Sequence, residues 1–303
     1  MYKIILFIFV FQALSAQVFI EERRIGAETE LVKFSRPSAV DISPNGSIFI
    51  VNSGTNDVHV LNANGGLLKS FGGFGFKNDQ FDNPADIWTR DLLNIFIADY
   101  NNQRIQRYSR TLLYVSSLVS DESRPPEFQF TEAASCAVNS QNDLFVLDRG
   151  ENKIIKFNRF SEPERTFGDY ESGEARLEEP VQLDIAADKF LLVSDRSSKA
   201  VFKFDFFGNF IHSINPPDCK SPSGLAVDRQ DRVFIADPAA RKIFVTNSSF
   251  KSIDTLSLHL TQPLKQPVDM AVRQFSGDKK KICRMFILDA EQLIIGRITN
   301  SCD

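Results

Sequence analysis

The chain is poor in the residues that site chemistry most often uses. Three His, four Cys, one Trp and three Met are spread over 303 residues. No Cys-x-x-Cys spacing occurs, which excludes thiolate zinc and dithiol redox motifs. No phosphate loop, serine nucleophile elbow or dinucleotide fingerprint is present. Gly72-Gly73-Phe74-Gly75 has closely spaced glycines, but no helical pattern follows, so it reads as a turn. Positive charge is not in excess. The formal net charge is −4, which argues against a nucleic-acid footprint.

A long apolar run occurs at the start of the chain. Ile4 to Leu14 is too short to span a bilayer. Lys3 before it and Ser15-Ala16 after it complete the pattern of a signal peptide, residues 1–16. A buried N-terminal strand is the alternative. On the first reading residues 17–303 form the mature chain, a single domain that is periplasmic or secreted. Gln17 rather than Cys follows the cleavage site, so no lipid anchor is expected.

What is abundant is a repeat. In residues 83–118 an Asn83-Pro84 turn opens a short strand to Arg90, and a polar break follows at Asp91. Asn94 to Ala98 is a compact apolar run, as for a strand buried on both faces. An Asx-rich turn comes next, then two more strands. An Asp or Asn closes the second strand at Asn52, Asp99, Asp148, Asp195, Asp237 and Asp289. A β-branched residue follows six places later at Val58, Ile105, Ile154, Val201, Ile243 and Ile295. Pro precedes five of the six first strands, at Pro37, Pro84, Pro180, Pro222 and Pro267, and Ala133 takes the sixth place. The period, 42 to 52 residues, is that of a propeller blade.

The predicted fold is all-β: a six-bladed β-propeller of four-stranded antiparallel blades. The blades are expected at 36–73, 83–119, 132–168, 180–214, 222–258 and 267–300. The last has only three strands of its own. Residues 29–35 match the fourth strands, so this N-terminal segment is expected to close it and remove an open edge. Val18 to Glu22 is left over as a candidate extra edge strand. Pro222-Ser-Gly-Leu-Ala-Val-Asp228, Val233-Phe-Ile-Ala-Asp237 and Ile95 to Tyr108 resemble the NHL repeat. The resemblance spans residues 30 to 300. It implies the propeller fold and leaves function open between protein binding, RNA binding and catalysis.

Strand alternation then sorts the inner-strand residues. Counting from the Pro position, the third and fifth are nearly all apolar and are expected between blades. The second ring facing the axis is Ala39, Asp86, Ser135, Gln182, Gly224 and Asp269. The fourth is Asp41, Trp88, Ala137, Asp184, Ala226 and Ala271. The sixth is Ser43, Arg90, Asn139, Ala186, Asp228 and Arg273. Asp41, Asp86, Asp184 and Asp269 thus crowd the axis, with Asp41 opposite Asp184. Like charges so placed attract a cation or shift their pKa values, and oxygen ligands suit Ca²⁺ or Mg²⁺. Trp88 offers a flat wall or a face for an organic cation. The alternative is a channel in which Arg90 and Arg273 pair some of these carboxylates.

His59 and His212 fall on third and fourth strands and His259 in an inter-blade loop, so neither a His zinc site, of the kind in amidating lyases that share this fold, nor a His base is expected. Cys136 reads as a small core residue. Cys283 and Cys302 flank the last hairpin and could form a disulfide after export, while Cys219 has no assigned partner. Basic residues recur after the second strands, at Arg104, Arg149, Lys153, Arg196, Lys199, Arg241 and Lys242. They are either inter-blade pairs or a surface for an anionic partner.

Two functions follow. The first is a binding module whose upper face takes a protein, peptide or glycan, with Trp88, Gln182, Arg104, Arg149, Arg196 and Arg241 as contacts and no nucleic acid or membrane anchor. The second is a metal-dependent lyase or lactonase-like hydrolase using the acidic channel. The lactonase-like relatives' axial Glu and paired Asn are missing here. A monomer is expected.

Overall fold

The computed structural model describes residues 17–26, 32–91, 93–247, 250–276 and 281–299. The expected signal peptide lies outside them. The described residues form six sheets; in the first five the strands follow chain order from the inside out, and in the sixth the chain's last three strands are followed outward by two strands from earlier in the chain. The inner strands are Pro37–Ile42, Pro84–Trp88, Ala133–Val138, Pro180–Ala186, Leu225–Val227 and Pro267–Ser276. Each touches the inner strand of the next blade, and the last touches the first. The ring is therefore closed, as the repeat predicts.

A three-part device starts each blade. An apolar residue, three places before the Pro position, is buried: Phe34, Phe81, Phe130, Leu177, Cys219 and Leu264. The next two N–H groups point at the acidic residue closing the second strand. Asp148 accepts from Thr131 and Glu132, Asp195 from Glu178 and Glu179, Asp237 from Lys220 and Ser221, and Asp289 from Lys265 and Gln266. In blade 2 Asp99 accepts from Asp82. Asn52 has no such role; in blade 1 the Ser53 and Gly54 N–H groups bond the Arg36 and Ser35 carbonyls. The recurring aspartates are thus structural acceptors for buried backbone donors. Cys219, which the sequence left unexplained, fills the place that Phe holds elsewhere and is free.

After the Pro position the ladder skips one residue in five blades, between Pro37 and Ala39, Pro84 and Asp86, Ala133 and Ser135, Pro180 and Gln182, and Pro267 and Asp269. This bulge re-aims the next side chain. Beyond it the third residues pack between blades, as predicted: Val40, Ile87, Cys136, Leu183, Leu225 and Met270 are all buried.

Blade 6 is closed by the N-terminal segment, but by a different stretch than expected. Val18–Gly26 pairs antiparallel with Gln292–Ile298. Residues 32–35 form no strand, and 27–31 lie outside the described residues. Val32 and Phe34 instead bury their side chains between blades 6 and 1. The physical reason is length and pattern: nine residues with Phe19 and Ile25 turned inward satisfy the whole exposed edge. Gly296 permits the approach, since a Cβ there would lie 2.3 Å from the Ile20 carbonyl and 2.4 Å from the Phe19 ring. Ser257–His259, of which 257–258 were expected within blade 5 and His259 in an inter-blade loop, instead adds a fifth strand to blade 6, parallel to Val18–Gly26. Cys283 is disulfide-bonded, and its expected partner Cys302 lies outside the described residues.

Candidate functional site

The axis is filled by the chain's own groups. In blades 1, 3 and 5 the sixth residue, Ser43, Asn139 or Asp228, closes the first hairpin by bonding locally. In blade 2 Asp91 takes over that task, accepting from the Leu93 and Asn94 N–H groups. This frees Arg90 to reach inward. Its Nη1 and Nη2 both donate to Asp184, the latter at 3.0 Å, and its Nε lies 3.4 Å from Asp41 Oδ1. Asp41 also accepts from the Thr89 N–H at 2.7 Å and hydroxyl at 3.0 Å. Arg90 sits 4.6 Å over the Trp88 ring.

The cation that the acidic ring attracts is therefore an arginine. Burial opposes the Arg90 charge, but Asp184 and Asp41 outweigh it and raise its pKa further. Burial pushes the Asp184 carboxyl up against the pull of Arg90, yet the two-pronged contact is that of an ionised pair. Trp88 spends its face on the same guanidinium. Arg273, which was also expected to pair a carboxylate, donates to the Pro44 carbonyl at 2.6 Å.

The other two carboxylates lie above this pair. Asp86 accepts from the Ser135 hydroxyl and, at 3.3 Å, from Gln182 Nε2, while Gln182 Oε1 accepts the Leu225 N–H. Asp269 accepts the Val40 N–H at 2.8 Å. Gly224 leaves room for it, since a Cβ there would lie 2.4 Å from the Asp269 Cα. Burial raises the Asp86 carboxyl to about 6. Burial, and then the charge of Asp86, raises Asp269 well above the usual range.

Arg90 stands between Asp41 and Asp184, Asp86 accepts from Ser135 and Gln182, and Asp269 accepts through Oδ2 while its buried Oδ1 has no hydrogen-bond partner; among the described residues no three His, Cys, Asp or Glu side chains are grouped to hold a metal. His59, on a third strand, and His212, on a fourth, lie off the axis as predicted.

The upper face carries the turns between second and third strands and the inter-blade loops. Of its four candidate arginines, Arg104 is buried and fully used. It donates to Asp99 at 2.7 Å and to the Phe76, Lys77 and Gln80 carbonyls at 2.8, 3.1 and 2.9 Å. Arg149 and Arg196 share Glu179, at 3.2 and 3.7 Å. Arg241 is exposed in a left-handed turn conformation, φ 56°.

What Arg104 holds is the Gly72–Phe81 loop. Gln106 and Asn102 hold it too, through the Gln80 and Gly75 carbonyls. The Gly75 N–H bonds Phe81 and the Phe81 N–H bonds Gly73. On this braced loop Phe74 and Phe76 stand 71% and 77% exposed. Across the face Tyr170 is 78% exposed. The sequence reads Gly72 to Gly75 as a turn, but which of the loop's aromatics point outward depends on the brace. Phe81, in the same loop, is fully buried.

The chain is a six-bladed β-propeller of NHL-like repeats. No family model matches it. Over 121 residues, 39% of this chain, it is 24% identical to Protein brain tumor of Drosophila melanogaster, and the match covers only 12% of that protein. Solved propellers align over most of it. A streptogramin B lyase covers 88% of this chain and 94% of its own, with TM-score 0.61 and 11% identity. A catalytically inactive virginiamycin B lyase from Staphylococcus aureus with quinupristin covers 91% and 98%, with TM-score 0.61 and 12% identity. A Bacteroides thetaiotaomicron protein of unknown function covers 88% and 70%, with TM-score 0.62 and 12% identity. At these identities the likeness is one of fold.

Proposed function

We propose that this propeller is an exported binding module whose upper face docks a protein partner. Phe74 and Phe76 are the anchors, and Arg149, Arg196 and Arg241 select an acidic rim. One observation carries the reading: two phenylalanines are held outward on a loop whose carbonyls are tied down by a buried arginine. Exposing large apolar rings costs solubility unless they are covered in use. Bracing them in advance lowers the ordering cost of binding. Aromatic anchors of this kind supply most of an interface's energy.

The test compares wild type with a Phe74→Ser/Phe76→Ser double variant. Both are used to capture proteins from the extracellular fluid of the source organism. A partner retained by wild type and lost by the variant, at unchanged Tm, is the expected result. An effect of about 2 kcal/mol or more per anchor corresponds to a loss of thirtyfold or greater. Equal recovery of every captured species by the two proteins would remove the reading.

A further inference from the structure

The turns between first and second and between third and fourth strands lie at the lower end of the ring. There, between blades 2 and 3, is a cleft of about 360 Å³. Its floor is apolar, formed by Phe96, Ile105, Leu118, Val138 and Leu144. Phe96, Ile105, Val138 and Leu144 are nearly inaccessible to solvent except through it. Two exposed apolar side chains, Leu93 and Phe160, stand at its rim, 73% and 70% exposed.

The cleft is electrostatically one-sided. Arg107 is half-buried in its wall, 5.9 Å over the Phe96 ring. Its Nε donates to Asn94 Oδ1 at 2.8 Å, and its two terminal nitrogens bond no other described residue. Arg159, over the Phe160 ring at 4.8 Å, adds a second positive charge at the rim. The acid among the lining residues, Asp91, is turned back into its own hairpin, where it accepts from Leu93 N–H, Asn94 N–H and Asn94 Nδ2. A buried apolar floor beside an arginine with two open donors fits a ligand with an apolar body and one planar anionic head.

We infer that this lower cleft binds a small amphipathic carboxylate, its apolar body on Phe96, Ile105, Val138 and Leu144 and its carboxylate on Arg107. The volume equals about a dozen waters at ~30 Å³ each, which admits a body of about eight carbons and a carboxylate. A medium-chain fatty acid and the carboxylate of an apolar amino acid share this chemistry. The site lies on the opposite face from the proposed docking surface and does not depend on it.

Titration calorimetry on the full mature chain tests the assignment with octanoate, octan-1-ol and N-acetylphenylalanine. Octanoate is expected to bind saturably, with a Kd of about 0.2 to 6 mM for a ligand of its size. It should bind about tenfold tighter than octan-1-ol. Arg107→Met should bring octanoate down to the alcohol's affinity and leave the alcohol unchanged. Phe160→Ser, at an exposed position that folding does not need, should weaken both. A higher affinity for octanoate than for N-acetylphenylalanine marks a straight-chain ligand, and the reverse marks an amino-acid carboxylate. Equal binding of octanoate and octan-1-ol by wild type would overturn the inference. So would an octanoate affinity indifferent to both substitutions.

Discussion

At the scale of single residues, burial decides what each carboxylate does. The repeat aspartates and the axial aspartates are equally inaccessible, yet they differ in partners. Asp237 accepts three backbone N–H groups, which hold its carboxyl below the ordinary value in spite of burial. Its contribution to stability is present above its unfolded pKa and is lost as pH falls. Asp86 behaves in the opposite sense. Its folded pKa is raised from 3.8 to about 6, so folding takes up a proton between those values. The contribution of Asp86 is largest below pH 4 and disappears as pH rises through 6. Asp86→Asn should therefore flatten the pH dependence. Between pH 5 and 7.5, denaturant unfolding of wild type should lose about 1 kcal/mol relative to the variant, at 1.36 kcal/mol per unit. Parallel curves for the two proteins would show that Asp86 is not held protonated.

Arg90 is the residue whose loss should matter most. Removing it leaves Asp41 and Asp184, 4% and 0% exposed, without their cation. Arg90→Met should cost about 3–5 kcal/mol, as for a buried pair with one partner deleted. Arg90→Met/Asp184→Asn should recover much of that, because the unpaired charge is then gone. A single variant as stable as wild type would contradict the geometry. Both acid and cation were legible in the sequence as axial residues. That Arg90 reaches both Asp41 and Asp184 was not. It depended on Asp91 relieving Arg90 of the hairpin, a one-residue exchange of roles that alternation alone does not reveal.

At the scale of elements, the start of each blade is a small machine. In most blades an apolar plug and N–H groups held by the strand-closing Asp precede the inner strand, and a bulge follows its first residue. The aspartates and the prolines were visible as a pattern. The plug was not, because Phe, Leu and Cys share only their burial. The Gly72–Phe81 loop adds Arg104 to this device. Arg104→Lys keeps the charge but replaces a fork by a point, so two or three carbonyl bonds are lost. At about 1 kcal/mol per neutral bond and more for charged ones, local opening should become at least tenfold more frequent. Hydrogen exchange at the Gly75 and Phe81 amides reads this directly, while the global midpoint should move little. Unchanged exchange at both would mean that the loop is held by something other than Arg104. Arg104 looked from its place in the turn like a surface contact. It faces inward, where Asp99 and three carbonyls take four of its five N–H donors.

At the scale of the whole molecule, closure is the central energetic fact. The last blade is complete only when a strand from the N-terminal segment joins the three it has of its own. Val18–Gly26 does this with a parallel strand laid outside it. Phe19, fully buried against blades 5 and 6, is the side chain that anchors the clasp. Phe19→Ala should cost about 3–5 kcal/mol, from lost burial and the cavity left, and calorimetry should show it as a lowered Tm. An unaltered Tm would mean that the clasp contributes little to the ring. Among the described residues no helix is long and apolar enough to cross a membrane.

The sequence by itself determined the number of blades, their order, the inner strands and the fact that the chain's two ends meet. Those features follow from period and alternation, which are local and repeat six times. Only the tertiary structure decided which N-terminal stretch closes the ring, that Arg90 neutralises the axis, and which aromatics are exposed. Those outcomes are contests between residues far apart in sequence for the same space or the same hydrogen bonds. A pattern along one chain records the contestants, and packing in three dimensions picks the winner.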